Sequence, residues 1–182
     1  MPPVGIFRVM HVAGPILALD LATATGWACA PPDKEPHFGT AELPKSGQDV
    51  GTFAVAFSEW LTAKLADETP QVVLYEQPSI FSKTTPATLI KLNGLAYDCE
   101  RICTLHRVRC YMVNPSRLKK FFAGNGRAQK QDMIDVARRE GWAVQDDNQA
   151  DACAVWAWGV NCFAPNHARR FRFMFGVLAE GL

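Results

Sequence analysis

Short apolar runs that stop on an acidic residue alternate, along this chain of 182 residues, with longer stretches repeating at the helical period. The first run, Ile16-Leu17-Ala18-Leu19-Asp20-Leu21, reads as a buried strand. A turn at 22–25 leads to a second strand at 26–29. After the Pro31-Pro32-Asp33 loop, residues 37–43 alternate enough for a third. From Gly51 the period changes: Phe53, Phe57, Trp60, Leu61 and Leu65 mark an amphipathic helix that Pro70 ends. Val72-Val73-Leu74-Tyr75 is another buried strand, closed by Glu76. Thr85-Pro86 has the form of an N-cap and first helical position. The stripe that follows comprises Leu89, Leu92, Leu95, Ala96, Cys99, Ile102 and Cys103. A strand at 108–113 stops at Asn114-Pro115. A short helix at 116–122, a tight Gly124-Asn125-Gly126 loop and a basic helix at 128–140 come next. Residues 150–163 are apolar nearly all round and predict a buried helix ended by Pro165; 169–173 alternate like an edge strand or an arm.

The order β-β-β-α-β-α-β-α-α-α predicts an α/β fold. Three strands on short turns pair antiparallel, and later strands separated by helices join through parallel crossovers. The expectation is a mixed five-stranded sheet flanked by helices, with a domain over 1–164 and a tail over 165–182. A dinucleotide-binding fold needs a glycine-rich turn after the first strand, and here Asp20 stands there instead.

Composition narrows the class. With 48% hydrophobic and 20% charged residues the chain is neither disordered nor fibrous. No apolar run reaches the ~18–20 residues of a membrane helix, and residues 1–14 do not read as a signal peptide. Six cysteines without a CxxC pair read as reduced, mostly buried thiols. Cytoplasmic residence, in a bacterium or a phage-infected cell, is the expectation. The net charge of +1 conceals an asymmetry: residues 1–100 hold six Lys/Arg against eleven Asp/Glu, and residues 101–182 thirteen against seven. Between Arg101 and Arg139 ten basic residues face only Asp132 and Asp135. Such a stretch is either an electrostatic footprint for a polyanion or a solvated helical face.

Three carboxylates stand where burial is costly. Asp20 and Glu76 each follow four apolar residues of a strand, and Asp151 heads Ala152-Cys153-Ala154-Val155-Trp156. Burying one unpaired carboxylate costs several kcal/mol, and none of these segments offers a nearby Lys or Arg. A divalent ion offsets all three costs at once, and oxygen ligands suit Mg²⁺ or Mn²⁺ rather than Zn²⁺. Singly, Asp20 has a plainer role as a turn cap, Glu76 as the start of a loop before Pro78 and the neighbouring Asp147 as a helix N-cap; Asp151, among apolar neighbours, is the hardest to explain as structure.

The conjunction resembles the RuvC-type Holliday junction resolvases, within the ribonuclease H-like nucleases. Four segments carry the resemblance: Ile16 through Asp20 to Gly26-Trp27; Leu74-Tyr75-Glu76-Gln77-Pro78; the basic segment from Asn114 to Lys130 around Gly124-Asn125-Gly126; and Asp146-Asp147-Asn148-Gln149-Ala150-Asp151-Ala152. The resemblance implies metal-dependent hydrolysis of phosphodiesters in branched DNA, giving symmetric nicks. In it Asp20 and Asp151 hold two Mg²⁺ ions ~4 Å apart, Mn²⁺ serving as an alternative. Glu76 completes the shell with Asp147 or Asn148, the residues four and three before Asp151. Lys119 and Lys130 match basic residues near the scissile phosphate and stabilise charge in the transition state. Arg117, Lys120 and Arg127 belong to the DNA-binding set, and Phe81 is the candidate wedge that stacks on unpaired bases. Symmetric cutting implies a two-fold homodimer, for which the 89–103 stripe is a candidate face, core packing being the more common explanation of such a stripe. The alternatives are a flap or other branched-DNA nuclease on the same fold, and a module that binds branched DNA without cutting it.

Overall fold

In a computed structural model, which describes residues 11–45, 47, 49–78 and 85–173, the apolar runs become strands and the helical-period stretches become helices. The elements are β1 (Ile16–Asp20), β2 (Ala24–Ala30), β3 (His37–Glu42), α1 (Val50–Glu68), β4 (Val72–Glu76), α2 (Pro86–Leu105), β5 (Arg109–Val113), α3 (Pro115–Ala123), α4 (Lys130–Arg139), α5 (Asp147–Phe163) and α6 (Pro165–Ala168). The sheet runs β3-β2-β1-β4-β5. β1–β2 and β2–β3 pair antiparallel, and β1–β4 and β4–β5 pair parallel. This is the mixed five-stranded sheet expected from the element order.

Helices cover both faces, which is why β1 and β4 read as continuous apolar runs rather than alternating ones. Ile16, Ala18 and Leu74 face α5, with α3 and α4 beyond it. Leu17, Leu19, Val73 and Tyr75 face Phe53, Phe57 and Leu61 of α1 and Leu95, Cys99 and Ile102 of α2. The period-two alternation of a strand thus feeds two cores from one run. α5 lies tight on the sheet: a Cβ on Gly159 would stand 2.9 Å from Leu74 Cδ1 and 3.1 Å from Ile16 Cγ2. The Trp156 indole N–H donates to the Ala30 carbonyl at 3.1 Å.

Local chemistry starts the helices where they start. Asp49, Thr85, Asn114 and Asp146 each accept from a backbone N–H of the following first turn, and Pro86 and Pro115 occupy first helical positions. α5 begins at Asp147, three residues before the expected Ala150. Asp146 rather than Asp147 is therefore the cap, and Asp147 and Asn148 fall within the first helical turn.

Two expectations change. Residues 169–173 form neither an edge strand nor a free arm. After α6 the chain turns back, and Phe171 is buried between Trp142 and Trp156, at ring separations of 6.1 and 5.9 Å. Alternation of Arg and Phe mimics a strand, but here Phe171 enters the core, Arg170 lies half-buried over the Trp156 and Phe171 rings and Arg172 is exposed. Of the 89–103 stripe, Leu95, Cys99, Ile102 and Cys103 are core and Leu89, Leu92 and Ala96 are half-buried, whereas Ile90 and Tyr97, off the stripe on the same helix, are exposed. Phe171→Ala is expected to cost ~3–5 kcal/mol, read as a lowered urea midpoint; an unchanged midpoint would contradict its place in the core. No helix among the described residues is long and apolar enough to cross a membrane, and the six cysteines are free thiols.

Candidate active site

One register row across the sheet assembles the site. Asp20 on β1 faces Gly26 on β2, and Gly26 faces Thr40 on β3. On the other side Leu19 pairs with Tyr75, so Asp20 and Glu76 follow side by side at the ends of two parallel strands. Glu76 in turn pairs with Val113 of β5. The first turn of α5 crosses this row. Contact is closest at Gly26, where an added Cβ would lie 2.0 Å from the Asn148 carbonyl oxygen. Only a residue without a side chain lets the helix come down here, and this brings Asp147 and Asp151 to Asp20 and Glu76.

Strand β3 holds the helix start in place. Thr40 Oγ1 donates to Asp146 Oδ2 at 3.1 Å and accepts from Gln149 Nε2 at 3.2 Å. The Gln149 backbone N–H donates to Asp146 Oδ1 at 2.8 Å, and its side-chain oxygen accepts from Gln145 N at 3.0 Å. Gln149 is one of few buried polar residues among those described. Thr40 and Gln149 position the site, yet neither stands out in the sequence. Gln149 is one polar residue among the four of Asp146-Asp147-Asn148-Gln149, and Thr40 carries no signal.

The carboxylates perturb one another strongly. Asp20 is raised well above its ordinary value, first by burial and then by the charges of Asp151, Glu76 and Asp147. Glu76 is pushed from 4.5 to about 7 by burial and by Asp151, against the pull of Lys119. Asp151 is pushed from 3.8 to about 6 by burial, with Lys119 again opposing and Asp147 adding to the rise. Lys130 hydrogen-bonds Asp147 and is raised by it. The structure thus brings together Asp20, Glu76, Asp147 and Asp151, with Lys119 and Lys130 in electrostatic reach.

The rest of the expected set is more scattered. Asn148 is half-buried and presents its backbone carbonyl to Gly26. Arg117 and Lys120 of α3 are exposed, as is Arg127 in the loop before α4. The basic segment therefore flanks the acidic one, because α3 and α4 both pack on α5. Phe81 lies outside the described residues.

This donor set fits divalent cations. Glu76 Oε2 and Asp151 Oδ1 are buried without a hydrogen-bond partner, and native structures seldom leave such atoms unsatisfied. Four carboxylates from two strand ends and one helix, all oxygen donors, match hard cations of the Mg²⁺ type.

No protein-family model matches the chain, and no curated protein sequence does. Solved structures do. RuvC from Thermus thermophilus superposes with a TM-score of 0.66 at 16% identity, covering 85% of this chain and 95% of that one. T. thermophilus RuvC in complex with a Holliday junction substrate gives 0.65 at 15% identity, covering 92% and 98%. The yeast mitochondrial Holliday junction resolvase Ydc2 gives 0.62 at 15% identity, covering 96% and 87%. Sheet order, helical layers and near full-length superposition agree: the chain has the fold of the RuvC-type Holliday junction resolvases.

Proposed function

We propose that this protein is a structure-selective endonuclease that hydrolyses phosphodiesters in branched DNA, with the four-way Holliday junction as its substrate. The observation that carries the reading is the convergence of Asp20, Glu76 and Asp151 from three separate elements, with two of their oxygens left unsatisfied. A group of buried acids that raise one another's affinity for protons costs stability and has no packing role. Asp20, Glu76, Asp147 and Asp151 would hold two Mg²⁺ ions, or Mn²⁺ in their place; when bound, these supply a water nucleophile at neutral pH and neutralise the leaving oxygen. Asp147, whose charge acts on Asp20 and Asp151, supplies the fourth carboxylate in preference to Asn148.

The chain's own residues do the remaining work. Lys119 acts on both Glu76 and Asp151 and stabilises charge that grows on the phosphate. Lys130 orients the Asp147 carboxylate through its ion pair. Arg117, Lys120 and Arg127 hold neighbouring phosphates, which makes binding fall with added salt. Phe81 stacks on an unpaired base. Two copies of the chain place two sites on the two strands of one junction, and the exposed Ile90 and Tyr97 of α2, seven residues apart on one face, are the candidate contact.

The test is cleavage of a labelled four-way junction beside duplex, flap and single-stranded controls, with Mg²⁺, Mn²⁺ or EDTA. Paired symmetric nicks in the junction alone, lost in EDTA, are expected. Cutting of flaps as readily as junctions would keep the site and discard the junction as substrate; binding without cutting under either metal would overturn the nuclease reading. Within that assay Lys119→Ala is expected to slow cleavage ~10²–10³-fold and weaken junction binding far less. The reverse pattern would reduce Lys119 to a phosphate anchor.

A further inference from the structure

A second cluster of metal-ligating atoms lies apart from the carboxylates. Cys99 and Cys103 stand one turn apart on α2, and Cys110 stands on β5, the strand against which that helix returns. Their three sulfurs lie within 4.8 Å of one another. Cys99 Sγ and Cys110 Sγ are 3.8 Å apart. Thiolates ~2.3 Å from one tetrahedral ion are separated by nearly that distance. Cys110 pairs with Val73, three residues before Glu76 on β4, so the thiols sit ~10 Å down the sheet from the acidic row. The two sites share no residue and differ in donor chemistry, sulfur in one and oxygen in the other.

We propose that Cys99, Cys103 and Cys110 bind one thiophilic metal ion of the Zn²⁺ class, which ties α2 to edge strand β5. Three thiols facing one another inside an apolar layer bring no packing gain that Ala or Val would not match, and metal ligation uses all three. The site is not sealed. Cys110 is half-buried and lines a cleft of about 330 Å³ together with Glu100 and Thr104. The Glu100 carboxylate accepts from the Tyr75 hydroxyl at 2.5 Å, which leaves a water in the cleft for a fourth position. A ligated ion crosslinks residues of α2 and β5 across the connecting turn. It stiffens the sheet edge whose far end, Val113, pairs with Glu76.

Cobalt(II) titration of the reduced, metal-free full-length protein tests the site directly. An intense thiolate-to-cobalt charge-transfer band saturating at one equivalent is expected. The band should persist in the Asp20→Asn/Asp151→Asn protein and vanish in Cys103→Ser. A wild-type measurement guards against a misfolded variant: alkylation followed by peptide mass spectrometry, with and without Zn²⁺. Zn²⁺ is expected to slow labelling of Cys99, Cys103 and Cys110 about tenfold, since a metal-bound thiolate is a poor nucleophile, while half-buried Cys162 labels at an unchanged rate. Absence of the band, protection no greater than at Cys162, or a Cys99–Cys110 disulfide forming in place of metal binding would each overturn the proposal. Because the cobalt and alkylation readouts involve no DNA, failure of the nuclease reading would leave this one standing, and the converse holds.

Discussion

Asp151→Asn is expected to abolish junction cleavage, by ~10³-fold or more, while making the metal-free protein more stable at about pH 8. The two effects share one cause. Glu76 and Asp151 have folded-state values near 7 and 6 against ordinary values of 4.5 and 3.8, and Asp20 is raised in the same direction. Between those limits the folded chain binds more protons than the unfolded one. Stability of the metal-free protein therefore falls as pH rises from about 4 to about 7 and stays low above that. A tenfold change in a group's proton affinity on folding corresponds to ~1.4 kcal/mol. The charges are mutually coupled, so removing one carboxylate is expected to recover ~1–3 kcal/mol in total. Mg²⁺ should reverse the ranking, stabilising the wild type at about pH 8 and the variant much less. Urea unfolding at about pH 5 and pH 8, with and without Mg²⁺, measures all of this. A variant that is less stable without metal at the higher pH, or that still cuts, would remove Asp151 from the site.

Gly26→Ala should be nearly as damaging, through packing alone. The new methyl group would start 2.0 Å from the Asn148 carbonyl oxygen, and backbone on both sides leaves no flexible atom to give way. Relief requires lifting the first turn of α5 off the β1–β2 pair. Overpacking of this kind costs ~1–3 kcal/mol and more where the backbone must move. Asp147 and Asp151 would move with the helix, so cleavage is expected to fall ~10²-fold or more, since small misplacements of reacting groups are that costly. Junction binding should survive, because Arg117, Lys120 and Arg127 lie outside α5 and are not displaced with it. Thermal melting, cleavage and binding of the one variant separate these effects. An unchanged melting temperature with full cleavage would refute the close contact.

Much of the architecture is legible along the chain because burial is coded locally. A run such as Val72-Val73-Leu74-Tyr75, stopped by Glu76, reads as a strand covered on both faces, and it is one. The Phe53, Phe57, Leu61 spacing marks one face of a helix, and those three side chains are the buried face of α1. The acids at the ends of such runs stand out for the same reason, since polar groups among apolar neighbours are costly. Asp20, Glu76 and Asp151 are thus marked as a group by the sequence alone, and the basic segment from Arg117 to Lys130 is marked by charge.

Other features depend on atoms far apart in sequence meeting at particular distances. Thr40 reaches Asp146 and Gln149 across 106 and 109 residues, and nothing in the local pattern around Thr40 distinguishes it from any other strand residue. The start of α5 is ambiguous along the chain because Asp146 and Asp147 are alike as residue types; the cap is known only from which oxygen meets the Gln149 N–H. Residues 169–173 mislead because alternation has one meaning on a sheet edge and another where a chain folds back over Trp142 and Trp156. The Cys99, Cys103 and Cys110 cluster is hidden for a related reason, since no CxxC spacing announces it. Amino-acid order determined which segments are buried, their periods and which residues are too costly to be mere packing, because hydrophobic burial is non-directional and local in its code. Which of those residues touch was decided by strand register and close packing, because a one-residue slip or a single methyl group moves every side chain of the site.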